Sequence, residues 1–208
     1  MANIKPFKAL IHTKEDGKMV LQPPYDLMNV QEAKKIFVKD QQDAIYIYRE
    51  IVNDKAQTGI VACVSVDDNI NGVVKKHGDT KTYKKLDRVN HIRYSNANIG
   101  TVLLTYKEQE EIEKIIDYYA YFMTPIYDFK TDDNVIHTIW KVEKERDIED
   151  LVNEFAKVES LYIADGHKRC LAVENIALEE RGKNPNYTGE EEFNYYIAMM
   201  ATDTNLIV

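Results

Sequence analysis

The residues best suited to do chemistry are Asp165-Gly166-His167-Lys168-Arg169. They follow a short apolar run, Leu161 to Ala164, and open a segment that reads as a helix to about Arg181, with Gly182 as its stop. Asp165 is placed to cap that helix, and Gly166 lets the backbone bend tightly or approach a ligand. Cations in a first helical turn are locally unfavourable, because the N–H groups already make that end positive. Positive potential gathered at one point suits an anion, phosphate above all. The same residues also fit a capped helix start whose basic side chains are only solvated.

A second candidate is the stretch Lys75 to Arg93, with five Lys and two Arg against two Asp. Its local charge of +5 stands in a chain that carries 27 Lys and Arg against 35 Asp and Glu, a net charge of −8. Such an island is ordinarily a solvated face, but here it can also receive a small anion. It contains His77, Asp87, Arg88 and His91; if the segment is helical, Asp87 shares a face with His91 and can orient its imidazole. The acidic balance repels long polyanions, which argues against a general nucleic-acid binder.

Other chemistries are poorly supported. The five histidines, His12, His77, His91, His137 and His167, form no HExxH or HxxxH pair, so no metal site is expected. Walker A, GxGxxG and GxSxG patterns are absent. Cys170 lies early in the proposed helix, where a thiolate can be stabilised, yet its neighbours Leu171, Ala172 and Val173 point to a core cysteine. Two isolated thiols, Cys63 and Cys170, suit a reducing cytoplasm. No apolar run approaches the roughly 20 residues of a membrane helix, and MANIKPFKALIH lacks a signal-peptide pattern. A cytoplasmic protein with no membrane partner is expected.

The elements that must position these residues alternate between strand and helix. Phe7 to Ile11 reads as a strand, followed by a polar loop at Asp16-Gly17 and the rigid turn Pro23-Pro24-Tyr25-Asp26. Asn29 is a candidate cap for a helix from Val30 to Lys39. Ala44 to Arg49 and Thr58 to Val66 read as strands paired across Asn53-Asp54-Lys55. From Glu108 to Met123, Ile112, Ile115, Ile116, Tyr119, Phe122 and Met123 form a helical stripe; Ile148, Leu151, Val152, Phe155 and Val158 form another over Glu145 to Val158. Between them, Ile126 to Phe129 and Val135 to Val142 read as a hairpin around Thr131 to Asn134. Many of the 14 tyrosines, Tyr46, Tyr48, Tyr118, Tyr119, Tyr195 and Tyr196 among them, fall at core-like spacing. The last stretch, Glu192 to Val208, is apolar enough for a buried terminal strand, or for a chain cut from a longer protein. The expected fold is a mixed α/β or α+β unit over residues 1–208, with a mixed sheet flanked by helices and no marked internal boundary.

Taken in order, Pro6-Phe7, Pro23-Pro24-Tyr25-Asp26, Gln57 to Ala62, Lys75-Lys76-His77, Asp87-Arg88, Leu103 to Tyr106, Tyr127-Asp128-Phe129 and Ala164 to His167 resemble the bacterial and archaeal family called domain of unknown function 1015. The Asp-Gly-His element is also similar to the helix-start motif of the ParB/sulfiredoxin superfamily, which includes partition proteins that bind and hydrolyse CTP, sulfiredoxins and a kinase of free serine. That similarity implies a ParB/sulfiredoxin-like core and a helix start that grips phosphate. Sulfiredoxin chemistry needs a thiol directly after the motif glycine, where this chain has His167. What the resemblance then implies is a small-molecule phosphotransferase resembling the serine kinase, using ATP or ADP with Mg²⁺. Gly166, His167, Lys168 and Arg169 would hold phosphate, with Arg88 and His91 completing the pocket; Asp165, then Asp26, are the candidate bases, and His77 a further catalytic candidate. The chain departs from the family pattern at Lys168, where His is usual, and at Gly78, where an acidic residue often stands. Those departures leave a non-catalytic nucleotide- or anion-binding module as the alternative.

Overall fold

Asn53 and Asp54 adopt φ of 49° and 64°, the left-handed pair that a tight hairpin turn requires. That turn joins β4 (Ile45–Val52) to β5 (Lys55–Ser65), the two long strands around which the sheet is laid. The structure, a computed structural model, describes residues 1–12, 37–76 and 100–206. The remaining strands are β1 (Ile4–Lys5), β2 (Leu10–His12), β3 (Phe37–Lys39), β6 (Val74–Lys75), β7 (Val102–Tyr106), β8 (Tyr127–Lys130), β9 (Ile136–Val142), β10 (Leu161–Asp165) and β11 (Tyr195–Thr202). Four helices accompany them: α1 (Val66–Ile70), α2 (Glu110–Phe122), α3 (Glu145–Phe155) and α4 (His167–Lys183), with a 3₁₀ turn at Glu192–Asn194.

Among the described residues the main sheet has nine strands in the order β6-β10-β7-β11-β5-β4-β9-β8, and β1 pairs with the end of β5. It is a mixed sheet: β6–β10 and β7–β11 are parallel, and the other pairs antiparallel. The expectation of a mixed α/β architecture is met. β2 and β3 form a separate two-stranded ribbon.

Register puts one side chain from each of six strands in a single row: Trp140, Ile47, Ile60, Met200, Leu104 and Ile163. All are buried, and the helices cover this face. On one side of it, Tyr106 packs edge-on against Phe155 of α3 at 5.2 Å between ring centroids and donates to Glu113 of α2. α2 then crosses the sheet, because Trp140 Nε1 of β9 donates to Met123 O just beyond its last turn (3.1 Å). On the other side, Tyr196 of β11 donates to Asn69 Oδ1 of α1, and Asn69 Nδ2 donates to Cys170 Sγ of α4, both at 2.9 Å. These buried polar groups satisfy one another, which spares the core an unpaired donor.

Several expectations need correction. Phe37–Lys39 is strand β3, not the end of a helix from Val30, because pairing with Leu10–His12 supplies its main-chain bonds; the rest of that predicted helix lies outside the described residues. The predicted strand at Phe7 to Ile11 is broken into a bridge between Phe7 and Ala44 and the start of β2. Helix α4 runs through Gly182 to Lys183, whose ammonium pairs with Glu179 and Glu180 at 3.0 and 2.7 Å. Tyr118 and Phe122 are exposed, on the flank of a stripe that buries Ile112, Ile116 and Tyr119. Tyr46, Tyr119, Tyr195 and Tyr196 are core residues as their spacing suggests.

Candidate functional site

Strand β10 carries the candidate residues to the rim of the sheet. Leu161 and Ile163 point into the core, but the register with β7 shifts between Ile163 and Asp165, so Asp165 pairs with Leu103. The shift turns the Asp165 carboxylate outward, where it is 80 % exposed. Gly166 follows with φ of +93°, and a Cβ there would lie 3.2 Å from Val102 Cα. Both constraints demand glycine.

This local geometry overturns the assignment of Asp165 as helix cap. Asp165 is the last residue of the strand, and the left-handed Gly166 occupies the cap position without any side chain to offer. The helical ladder starts with Cys170 N–H donating to Gly166 O (3.0 Å), so the N–H groups of Lys168 and Arg169 come before the first ladder bond. No acidic residue occupies the first turn of α4. The positive end of the helix is therefore unneutralised by its own sequence.

Arg169 folds back over this start. Its Nη1 donates to Thr101 O (2.9 Å) and lies 4.0 Å from Asp165 Oδ2. Gly100, at φ of +83°, makes room for it: a Cβ there would approach Arg169 Nε to 3.2 Å. That Nε is buried with no hydrogen-bond partner among the described residues. The site thus presents a held guanidinium, an exposed ammonium from Lys168, a half-buried His167 and an exposed carboxylate around one helix start. Such a group can bind a phosphate through N–H and guanidinium donors, and can offer a carboxylate to a neighbouring hydroxyl.

Asp165, Gly166, His167, Lys168 and Arg169 are thus brought together. Asp26, His77, Arg88 and His91 lie outside the described residues. Of the basic stretch, Lys75 donates to Gly72 O (2.6 Å), and Lys76 is neutralised by Glu174 of α4 at 2.5 Å. Two participants escaped the sequence reading: Gly100 and Thr101, which seat Arg169. Their only signal is a glycine just before an apolar strand, which many loops share.

Cys170 behaves as a core residue. It is fully buried, and loss of solvation pushes its thiol up to about 11. Cys63, half-buried on β5, is pushed up to about 12 by the same cause. Neither is poised as a thiolate at neutral pH. Among the described residues no three His, Cys, Asp or Glu side chains cluster to hold a metal ion, and no helix is long and apolar enough to cross a membrane.

No curated protein and no solved structure matches the chain. Residues 32–208 match the family described as Protein of unknown function (DUF1015), a span that includes β10, the Gly166 turn and α4. With the greater part of its length covered by that match, the chain belongs to the DUF1015 family.

Proposed function

We propose that the β10–α4 junction binds the phosphate of a small molecule and that the protein is a small-molecule phosphotransferase. The observation that supports this reading is the meeting of an uncapped helix start, the Arg169 guanidinium and the Asp165 carboxylate within 4.0 Å of that guanidinium. The similarity of Asp165-Gly166-His167 to the ParB/sulfiredoxin helix start points the same way. In this reading Lys168, Arg169 and the N–H groups of the first turn hold the phosphates of ATP, whose Mg²⁺ neutralises charge on the transferred group. Asp165 accepts the proton of a substrate hydroxyl, such as that of serine, as its oxygen bonds to phosphorus and ADP leaves. Asp26 as the second candidate base, and His77, Arg88 and His91 as further members of the anion pocket, remain part of this proposal and lie outside the described residues.

Thermal-shift titrations with ATP, ADP, CTP, phosphoserine and serine identify the ligand, and product detection then measures turnover. Asp165→Asn is expected to keep nucleotide binding while lowering turnover about 10²-fold or more. Turnover at the wild-type rate in that variant would remove Asp165 from the mechanism. A second reading, binding without turnover, is favoured by the high exposure of Asp165, which has no described partner except Arg169 to orient it. A ligand shift without product in the wild type supports that reading.

A further inference from the structure

Strand β8 ends the sheet opposite β6, and among the described residues no strand lies outside it. Its two edges can be told apart. Thr131 N–H donates to Val135 O (2.9 Å), which makes this pair a hydrogen-bonded rung of the β8–β9 ladder. The register continues through Phe129 opposite His137 and Tyr127 opposite Ile139. Main-chain groups alternate sides along an antiparallel strand, so Asp128 and Lys130 turn their N–H and C=O groups away from β9. Their side chains are the exposed ones of this strand. They stand on the helix-bearing face, where Thr138 Oγ1 donates to Asp128 (3.1 Å).

Exposed edges are commonly protected by charges that repel an incoming strand. Asp128 and Lys130 do the reverse when the strand meets its own copy. Under a two-fold axis through Phe129, Asp128 of each copy faces Lys130 of the other, and the outward main-chain groups of both residues meet as hydrogen-bonded rungs. The axis is perpendicular to the sheet, so the helices of both copies stay on one face.

The end of α2 offers a second, separate observation on that face. Tyr121 and Phe122 are 75 % and 78 % exposed, and Tyr118 lies one turn before them on the same flank. The bond from Trp140 Nε1 to Met123 O fixes this end over β9, the strand next to the edge. Large exposed aromatics beside a sheet edge that has no described partner strand supply the apolar centre that a specific interface needs.

We propose that the chain forms a two-fold dimer by antiparallel β8–β8 pairing, with Asp128 opposite Lys130 of the second copy and Tyr121 and Phe122 of both copies covering the joined edge. The two sheets become one continuous sheet through the axis. This does not depend on the reading of the β10–α4 junction.

Sedimentation equilibrium of the full chain tests it. The wild type is expected at twice the monomer mass, and Lys130→Asp and Asp128→Lys are each expected at monomer mass, since each sets like charges across both rungs. The double variant Asp128→Lys/Lys130→Asp restores the pairing and the dimer. An equimolar mixture of the two single variants forms a mixed dimer, because one carries only cations and the other only anions at the two positions. Circular dichroism checks that each variant is folded; if a single variant is not, the double variant alone decides. A wild-type chain at monomer mass at about 0.1 mM, where a standard-size interface is occupied, overturns the proposal. So do single variants that stay dimeric, a double variant that stays monomeric, or single variants that do not recombine.

Discussion

Gly166 is the residue on which the candidate site turns. Its φ of +93° strains any residue with a side chain, and a methyl group there would press on Val102, which would have to give by a few tenths of an ångström. Gly166→Ala is therefore expected to cost about 2 kcal/mol in urea unfolding and to weaken phosphate binding by displacing the helix start. Unchanged stability and affinity would show that the turn relaxes without consequence. The Asp-Gly pair was recognisable in the sequence as the junction of a strand and a helix. Which of its two residues caps the helix was not recognisable, because the answer depends on a register shift between β10 and β7, and a pairing partner far away in the chain leaves no mark on the local pattern. The burial of Cys170 was legible from its apolar neighbours, since burial is a property that neighbours share. The seating of Arg169 by Gly100 and Thr101 was not, because it joins two segments far apart in the chain.

At the scale of elements, α2 and α3 were legible because each has one buried stripe at helical spacing. The stripes met as a pair: Tyr119 of α2 is buried and donates to Asp147 Oδ2 in the first turn of α3 (2.7 Å). Tyr119→Phe keeps the packing and removes this bond, so a loss of about 1 to 2 kcal/mol is expected by chemical denaturation with an unchanged denaturant slope. No loss would mean that water replaces the hydroxyl at no cost. The hairpins around Asn53-Asp54 and Thr131 to Asn134 were legible from turn residues, two of which adopt the left-handed backbone at the first turn. Short strands such as β1 and β6 were not, because two residues carry no periodicity and exist only through their partners. The end of α4 was not legible for a related reason. Arg181 is held by Asp67 of α1 and by Asn194, both at 2.7 Å, and these distant contacts carry the helix past Gly182.

For the whole molecule, acidity bears on stability through Asp68. Its carboxylate accepts Asn3 N–H (2.7 Å) where the first strand meets α1, and burial pushes its pKa up from 3.8 to about 6. The folded state then keeps a proton that the unfolded chain has lost between about pH 4 and pH 6. The stability so contributed is full below pH 4, declines as the pH rises through 6, and changes no further above it. Asp68→Asn retains an acceptor for Asn3 and removes the charge, so it is expected to stabilise the fold at pH 7 by up to about 3 kcal/mol and much less at pH 4. Denaturation at both pH values checks this; an equal effect at the two would refute the assignment. The position of β11 has a further consequence, for the order of events during synthesis. This strand alone joins β7 to β5, and it is translated after every other described strand. Until residues 195–202 leave the ribosome, the nascent chain carries two half-sheets whose facing edges have no partner. The sheet therefore closes only with this last strand, and until then the edges of β5 and β7 are the ones open to wrong pairing.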